Sequence, residues 1–205
     1  MNKDKVNIII PVYNSYEFVI KCIDSVIKNT PKEEYNLIIV NDNSTDERMI
    51  SYLLNLENKK IDNIFIHHNK KNVGFIESIN IGIQLDANYN KENFSMNTLT
   101  KSEEDDIIND ILLLNSMTEV TNNWLKKIKK IAYSKENIGT VVPLINDSSI
   151  FTNLEYNEYI KINNLDEYSK LIENTSIRLY PEISISIGSC MYIKRNVIDK
   201  MYPIE

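Results

Sequence analysis

Along the first half of the chain, short apolar runs that end in polar turns alternate with stretches whose apolar positions recur three and four residues apart. Val6–Val12 is almost continuously apolar, the pattern of a strand buried on both faces of a parallel sheet. From Ser15 onward, Phe18, Val19, Cys22, Ile23, Val26 and Ile27 form two adjacent columns, which predicts a helix with Asn14 or Ser15 as its N-cap and Pro31 beyond its end. Residues 37–40 form a second run, followed by the turn Asn41-Asp42-Asn43-Ser44 and a helical stretch carrying Met49, Leu53 and Leu56. Residues 61–66 read as a third strand. Residues 73–85 read as a helix that turns Ile76, Ile79, Ile83 and the small Gly82 toward the sheet. Strands and helices alternating at this length imply βαβ crossovers and a doubly wound sheet.

The rhythm breaks at residues 86–106, a stretch of Asn, Lys, Ser and Thr that reads as an exposed insertion. Residues 107–114 and 139–145 then have strand character, and residues 124–133 have helical spacing. Residues 147–182, rich in Asn, Glu and Tyr, read as a second insertion with no assignable element. Residues 183–187 and 191–193 are expected to be extended around Gly188.

Composition narrows the picture. With 205 residues, 42% hydrophobic and 25% charged, the chain suits one soluble domain with a sizeable core. A net charge of −6 argues against nucleic acid as a partner, because that binding depends on clustered Lys and Arg releasing counterions. The one dense basic run, Lys126, Lys127, Lys129 and Lys130, reads as a solvated helix face, with contact to an anionic lipid surface as the alternative. Cys22 and Cys190 are too few for a disulfide framework, and no apolar run approaches the roughly 18 residues a membrane span needs. A cytoplasmic protein is expected, with any membrane association peripheral and at the inner face.

In an open parallel sheet the ligand sits outside the carboxyl ends of the strands. Three polar turns occupy those positions: Pro11-Val12-Tyr13-Asn14, Asn41-Asp42-Asn43-Ser44-Thr45-Asp46 and Asn115-Ser116-Met117-Thr118-Glu119. A dinucleotide site is disfavoured, since Tyr13-Asn14-Ser15 follows the first strand in place of a G-x-G-x-x-G turn and the chain has only four glycines. His67 and His68 are adjacent on a strand, so they point to opposite faces and cannot chelate one ion in regular geometry.

These motifs resemble the family 2 glycosyltransferases of the GT-A fold. Ile8-Ile9-Ile10-Pro11-Val12-Tyr13-Asn14 is similar to their opening strand, and Val40-Asn41-Asp42-Asn43-Ser44-Thr45-Asp46 to their second-strand turn. Asn72-Val73-Gly74-Phe75 with Asn80-Ile81-Gly82-Ile83 resembles the third conserved stretch, particularly in the rhamnosyltransferase-like branch. Leu113-Leu114-Asn115-Ser116 with residues 120–124 resembles the fourth, and Gly188-Ser189-Cys190-Met191-Tyr192-Ile193-Lys194-Arg195 the start of the acceptor side.

The resemblance implies a mixed, mostly parallel α/β sheet flanked by helices. It divides residues 1–205 into a nucleotide-sugar-binding half, 6–124, and a partial acceptor-side half, 125–205. It implies inverting transfer of a sugar from a UDP- or dTDP-sugar donor to a glycan or glycolipid acceptor, with a catalytically degenerate nucleotide-sugar-binding module as the alternative. Asp42 is expected to accept the N3 hydrogen of uracil or thymine, and Pro11, Val12 and Tyr13 to wall the base. Asn14, Asn43, Asn72, Gly74, Asn115 and Ser116 complete the expected nucleotide-binding set, with backbone amides around Asn72 and Gly74 facing the diphosphate. Lys70 and Lys71 read as exposed, with a phosphate contact as the alternative. The bland reading of Asp42 and Asp46 is that they cap the following helix.

The chain departs from the family at two places. Where relatives carry the carboxylate that holds a Mg²⁺ or Mn²⁺ ion, this chain has Met117, and a thioether suits a hard cation poorly. Glu119 is the possible substitute. The general base of inverting relatives lies beyond the segment Pro203-Ile204-Glu205, so the chain is expected to be an N-terminal fragment without it.

Overall fold

The computed structural model describes residues 5–89, 109–145, 165–184 and 188–204. Its framework is one six-stranded sheet made of β1 (Val6–Val12), β2 (Tyr35–Asn41), β3 (Ile64–His68), β4 (Asp110–Leu114), β5 (Thr140–Val141) and β6 (Cys190–Ile193). The strand order is β3-β2-β1-β4-β6-β5. The first four in that order run parallel, whereas β6 is antiparallel to both β4 and β5. Among the described residues six α-helices accompany the sheet: α1 (Tyr16–Asn29), α2 (Glu47–Asn58), α3 (Phe75–Tyr89), α4 (Trp124–Ala132), α5 (Leu165–Thr175) and, after the last strand, α6 (Arg195–Met201).

β1 is buried along its whole length because both of its faces are covered. Val6, Ile8, Ile10 and Val12 join one core with Val19, Cys22, Ile23 and Val26 of α1, Met49 and Leu53 of α2, and Trp124, Leu125 and Ile128 of α4. Ile9 faces the opposite core, with Ile79 and Ile83 of α3 and Ile198 of α6. Each such side chain contributes roughly 1.5–3 kcal/mol on burial, which is why an unbroken apolar run is stable here and nowhere on the surface. At the amino ends of the strands, the Asn7 carboxamide oxygen accepts hydrogen bonds from the Nδ2 groups of Asn36 (2.8 Å) and Asn109 (3.1 Å), satisfying the polar groups that close the sheet.

Several elements differ from their expected bounds. β3 begins at Ile64, because Lys60 adopts φ 48° and the Ile64 amide turns back to the Ile61 carbonyl. On α1 only the inner stripe is buried; Phe18 and Ile27 are 51% and 40% exposed, since the stripe facing the sheet is narrower than two full columns. α3 begins at Phe75 and continues through Tyr89, four residues into the stretch expected to be an insertion. Ile76 lies on its outer side, and Ser78 takes the buried place instead. The strand expected at residues 139–145 shrinks to Thr140–Val141, whereas α5 forms inside the stretch left unassigned. Residues 1–4, 90–108, 146–164, 185–187 and Glu205 lie outside the described residues.

The basic run on α4 is not simply solvated. Lys127 pairs with Glu173 of α5 at 2.7 Å, and Lys28 of α1 pairs with Asp166 at 3.7 Å. The Thr121 and Ser169 hydroxyls are also in contact at 2.9 Å. α5 buries no residue of its own, so polar contacts of this kind hold it to α1 and α4. Lys126 and Lys130 remain exposed. Among the described residues no helix is long and apolar enough to cross a membrane.

The second half of the third sequence motif has a structural role. Asn80 binds the backbone of Ile204 twice, its Nδ2 donating to the carbonyl (2.9 Å) and its Oδ1 accepting from the amide (2.9 Å). The pairing fastens residues 202–204 to α3, with Gln84 Nε2 donating to the Tyr202 hydroxyl at 2.6 Å. Asn80→Ala is expected to cost about 1–2 kcal/mol, two neutral hydrogen bonds' worth. Hydrogen exchange should localise the effect to the Ile204 amide; unchanged protection there would refute the clamp.

Candidate functional site

Two hydrogen-bonded knots tie the carboxyl ends of β1, β2 and β3 together. The first centres on Asn14, which with Ser15 adopts left-handed backbone angles (φ 54° and 56°) as the chain leaves β1. Asn tolerates that region better than most residues because its short polar side chain bonds locally. Its Oδ1 accepts from the amides of Thr45 (2.8 Å) and Asp46 (3.0 Å), and its own amide donates to Ser44 Oγ at 2.9 Å. Asn14 is therefore a brace between two turns and not the cap of α1. Ser15 occupies the N-cap position without a side-chain bond, while Asp46 caps α2 by accepting from the Arg48 amide at 2.9 Å. The bland reading of Asp46 is correct.

The second knot centres on Asp42, which is 4% exposed and whose amide donates to the Val12 carbonyl at 2.8 Å. Its Oδ1 accepts from Asn69 Nδ2 (2.9 Å) and the Val73 amide (2.8 Å), and its Oδ2 from the Gly74 amide (2.8 Å). Asp42 thus does not cap the helix that follows it; it grips the loop leading into α3. Burial pushes its pKa up, but hydrogen bonds from Asn69, Val73, Gly74 and Ser78 together outweigh that, and the carboxyl titrates below its ordinary range. The amides expected to face a diphosphate are, at Val73 and Gly74, already occupied by this carboxylate. Gly74 has φ 90°, and a Cβ there would meet nothing within 4 Å, so glycine is required by the backbone and the space before it is open.

Asn69 and Ser78 belong to this knot and were missed by the sequence reading. Asn69 Nδ2 also donates to Ser78 Oγ at 3.3 Å, and the Asn69 amide donates to the Asn41 carbonyl at 2.9 Å. The one available clue was that Ser78 lies four residues before Gly82, on the same helix face.

The other expected residues are distributed unevenly around this centre. Pro11 and Val12 are buried in the sheet, so of the expected base wall only Tyr13, 49% exposed, presents a side chain to solvent. Asn43 (φ 58°) and Asn72 are exposed on the two loops flanking Asp42. Lys70 and Lys71 are exposed and share a hollow of about 320 Å³ with His67, His68 and Ile81. His67 is half-buried, and burial followed by the neighbouring His68 lowers its pKa. Asn41 Oδ1 accepts from the Ser44 amide, so its Nδ2 is the donor toward His68 Nδ1 at 3.0 Å. His68 Nε2 faces Glu57 of α2 at 3.9 Å, an engagement apart from His67.

The turn after β4 is separately anchored. Asn115 donates its amide to the Ser189 carbonyl (2.9 Å), and its Oδ1 accepts from the Met117 amide (2.9 Å). Met117 is 58% exposed. Beyond it, the Val120 amide donates to Ser25 Oγ (3.0 Å) and its carbonyl accepts from Asn29 Nδ2 (2.9 Å), which draws the chain onto α1. Burial, with the charge of Glu119 adding to it, pushes the Cys22 thiol beneath this turn up to about 12. Among the described residues no group of three His, Cys, Asp or Glu is placed to hold a metal ion. A hard cation wants several oxygen ligands, and Asn115, Ser116 and Met117 supply no carboxylate; these residues do not fit one.

This sheet order, with polar turns at the parallel strand ends, is the GT-A fold of solved glycosyltransferases. A mannosyltransferase from Pyrobaculum calidifontis, solved in complex with GDP-Man and Mn²⁺, matches 97% of the chain and 46% of its own at 13% identity and TM-score 0.62. GalNAc-T7, solved with UDP, GalNAc and Mn²⁺, matches 68% of the chain and 22% of its own at 20% identity and TM-score 0.51. Sequence comparison is more specific: residues 7–85, which carry both knots, match the model of glycosyl transferase family 2. A poly(ribitol-phosphate) beta-glucosyltransferase of Bacillus spizizenii is 41% identical over 71 residues, 34% of this chain and 11% of the relative. A glycosyltransferase of Streptococcus pneumoniae is 32% identical over 105 residues, 51% of this chain and 13% of the relative. The chain therefore spans about an eighth of the length of these relatives.

Proposed function

We propose that this chain carries the donor-binding half of a family 2 glycosyltransferase, within residues 6–124, and that residues 125–205 begin its acceptor side. The donor is a UDP- or dTDP-sugar, and the acceptor a glycan or glycolipid of a surface polysaccharide, reached with inversion. The observation that carries this reading is the Asp42 knot, a buried, ionised carboxylate at the strand-end rim, inside the segment that matches the family model.

A carboxylate offers about four acceptor directions; Asn69, Val73 and Gly74 fill three, and the Ser78 hydroxyl, a rotor that can turn away, competes with a ligand donor for the fourth. A ring imide N–H suits that remaining direction. Uracil and thymine carry one; adenine and cytosine do not. Tyr13 supplies the neighbouring ring on which a base can stack, and Asn43 and Asn72 the flanking polar groups. The poly(ribitol-phosphate) relative supports a surface polymer as acceptor, and Lys126 and Lys130 offer a face for peripheral contact with an anionic membrane.

Calorimetric titration tests the proposal. UDP and dTDP should bind, and ADP and CDP should bind at least about tenfold more weakly, a difference of about 1.4 kcal/mol for one hydrogen bond to a charged group. Equal affinity for all four would overturn the role given to Asp42. A second reading, a nucleotide-sugar-binding module without transfer activity, is favoured by Met117 standing where relatives have a metal-binding carboxylate. Sugar release from a bound UDP-sugar in the presence of acceptor would exclude it.

A further inference from the structure

The turn after β4 departs from a metal site in more than one residue, and the structure closes the routes by which the missing carboxylate could be replaced. Asn115 Oδ1 is held by the Met117 amide, and the Asn115 carbonyl accepts from the Thr118 amide at 3.0 Å and from Cys22 Sγ at 3.6 Å. Glu119, the candidate substitute, is fixed on both sides. Thr118 Oγ1 donates to the Ser189 carbonyl at 3.1 Å, and Val120 is 7% exposed and bonded through its backbone to Ser25 and Asn29. Bringing Glu119 to the place of Met117 would break those contacts and draw Val120 out of the core. Met117 itself offers a soft thioether that a hard divalent cation does not select.

We propose that this turn recruits no divalent cation and that the chain holds the diphosphate of its nucleotide without one. The inference rests on the donor-site reading above and deepens it: affinity is concentrated at the base end, around Asp42 and Tyr13. Lys70 and Lys71, on the loop that Asp42 grips, are the positive charges available to the phosphates. Metal-free binding of this kind makes the nucleotide's affinity insensitive to Mn²⁺ and to chelators.

The test uses the 205-residue chain and UDP, titrated in saturating Mn²⁺ and in excess EDTA, for the native protein and for Met117→Asp. The native affinity should be the same in both to within about twofold. Met117→Asp, an exposed position, should acquire a Mn²⁺-dependent gain of about tenfold or more, on the scale by which a metal's surroundings alter its affinity. A native affinity that rises about tenfold with Mn²⁺ overturns the inference, as does a Met117→Asp protein that gains no metal dependence, since this turn would then not face the diphosphate. UDP binding absent under both conditions overturns the donor-site reading itself, an outcome distinct from Mn²⁺ dependence. Melting curves of Met117→Asp with and without Mn²⁺ in the absence of UDP show that the variant is folded.

Discussion

Asp42→Asn is expected to destabilise the protein by about 2–4 kcal/mol and to weaken UDP binding by at least about tenfold. The carboxylate accepts hydrogen bonds from the Asn69 side chain and from the backbone amides of Val73 and Gly74. An asparagine keeps one carbonyl oxygen and turns an NH₂ group toward the remaining amide, leaving donors facing each other in a place only 4% exposed. In a chain of this size the loss corresponds to a fall in Tm of roughly 5–15 °C. The pH dependence has a definite sign. Hydrogen bonding holds the folded-state pKa of Asp42 below its ordinary value, so its contribution is complete above that value and is lost as pH falls through the folded pKa. Denaturant titrations should therefore show a constant gap between native and Asp42→Asn proteins from neutral pH down to about pH 5, narrowing below about pH 4. A gap under about 0.5 kcal/mol at neutral pH would mean that Asp42 does not organise the loop.

Gly82→Val should cost about 3 kcal/mol or more and loosen the same site from behind. Gly82 lies where α3 presses on the sheet; a Cβ there would stand 2.5 Å from Ile9 Cγ2 and 3.4 Å from Val40 Cγ2. Ile9 is fully buried and walled in by Ile79 and Ile83, so it has no free direction in which to yield. Overpacking of this kind costs about 1–3 kcal/mol for small insertions and more for a branched side chain. Gly82→Ala is the informative companion: alanine improves helix propensity by about 1 kcal/mol over glycine, so a net loss isolates the steric clash. Because the loop that opens α3 is held by Asp42, lifting the helix should also reduce UDP affinity. An alanine variant about 1 kcal/mol more stable than the native protein would show that α3 can shift without cost.

How far the sequence could be read depended on whether a residue's partners lie near it along the chain. β1, β2 and the buried stripes of α1 and α2 follow from local periodicity, because a strand covered on both faces must be apolar throughout and a covered helix needs only one stripe. Asp42 was legible as a polar residue at a strand end, and Gly82 as a small residue on a buried face. Their roles were not. Asp42 could cap α2 or face a ligand as far as its neighbours tell; its bonds to residues 69–74, about 30 positions away, exist only once β3 lies beside β2. Asn14 likewise has the composition of a helix cap, and it becomes a brace because the β2 turn presents two amides at closer range than α1 does. Asn80 belongs to the third family-like stretch, and its role, fastening residue 204, is a contact spanning 124 positions.

By itself, then, the sequence determined the alternating framework, the rim on which polar turns gather, the likeness to family 2 glycosyltransferases and the presence of a methionine, Met117, in the turn after the fourth strand. Apolar period and turn chemistry act over a few residues and need no tertiary context. Only the tertiary structure decided that the Val73 and Gly74 amides answer to Asp42 and that Val120, next to Glu119, is tied to α1. Which of several donors and acceptors pair is settled by distances that the packed sheet creates and the linear chain does not contain.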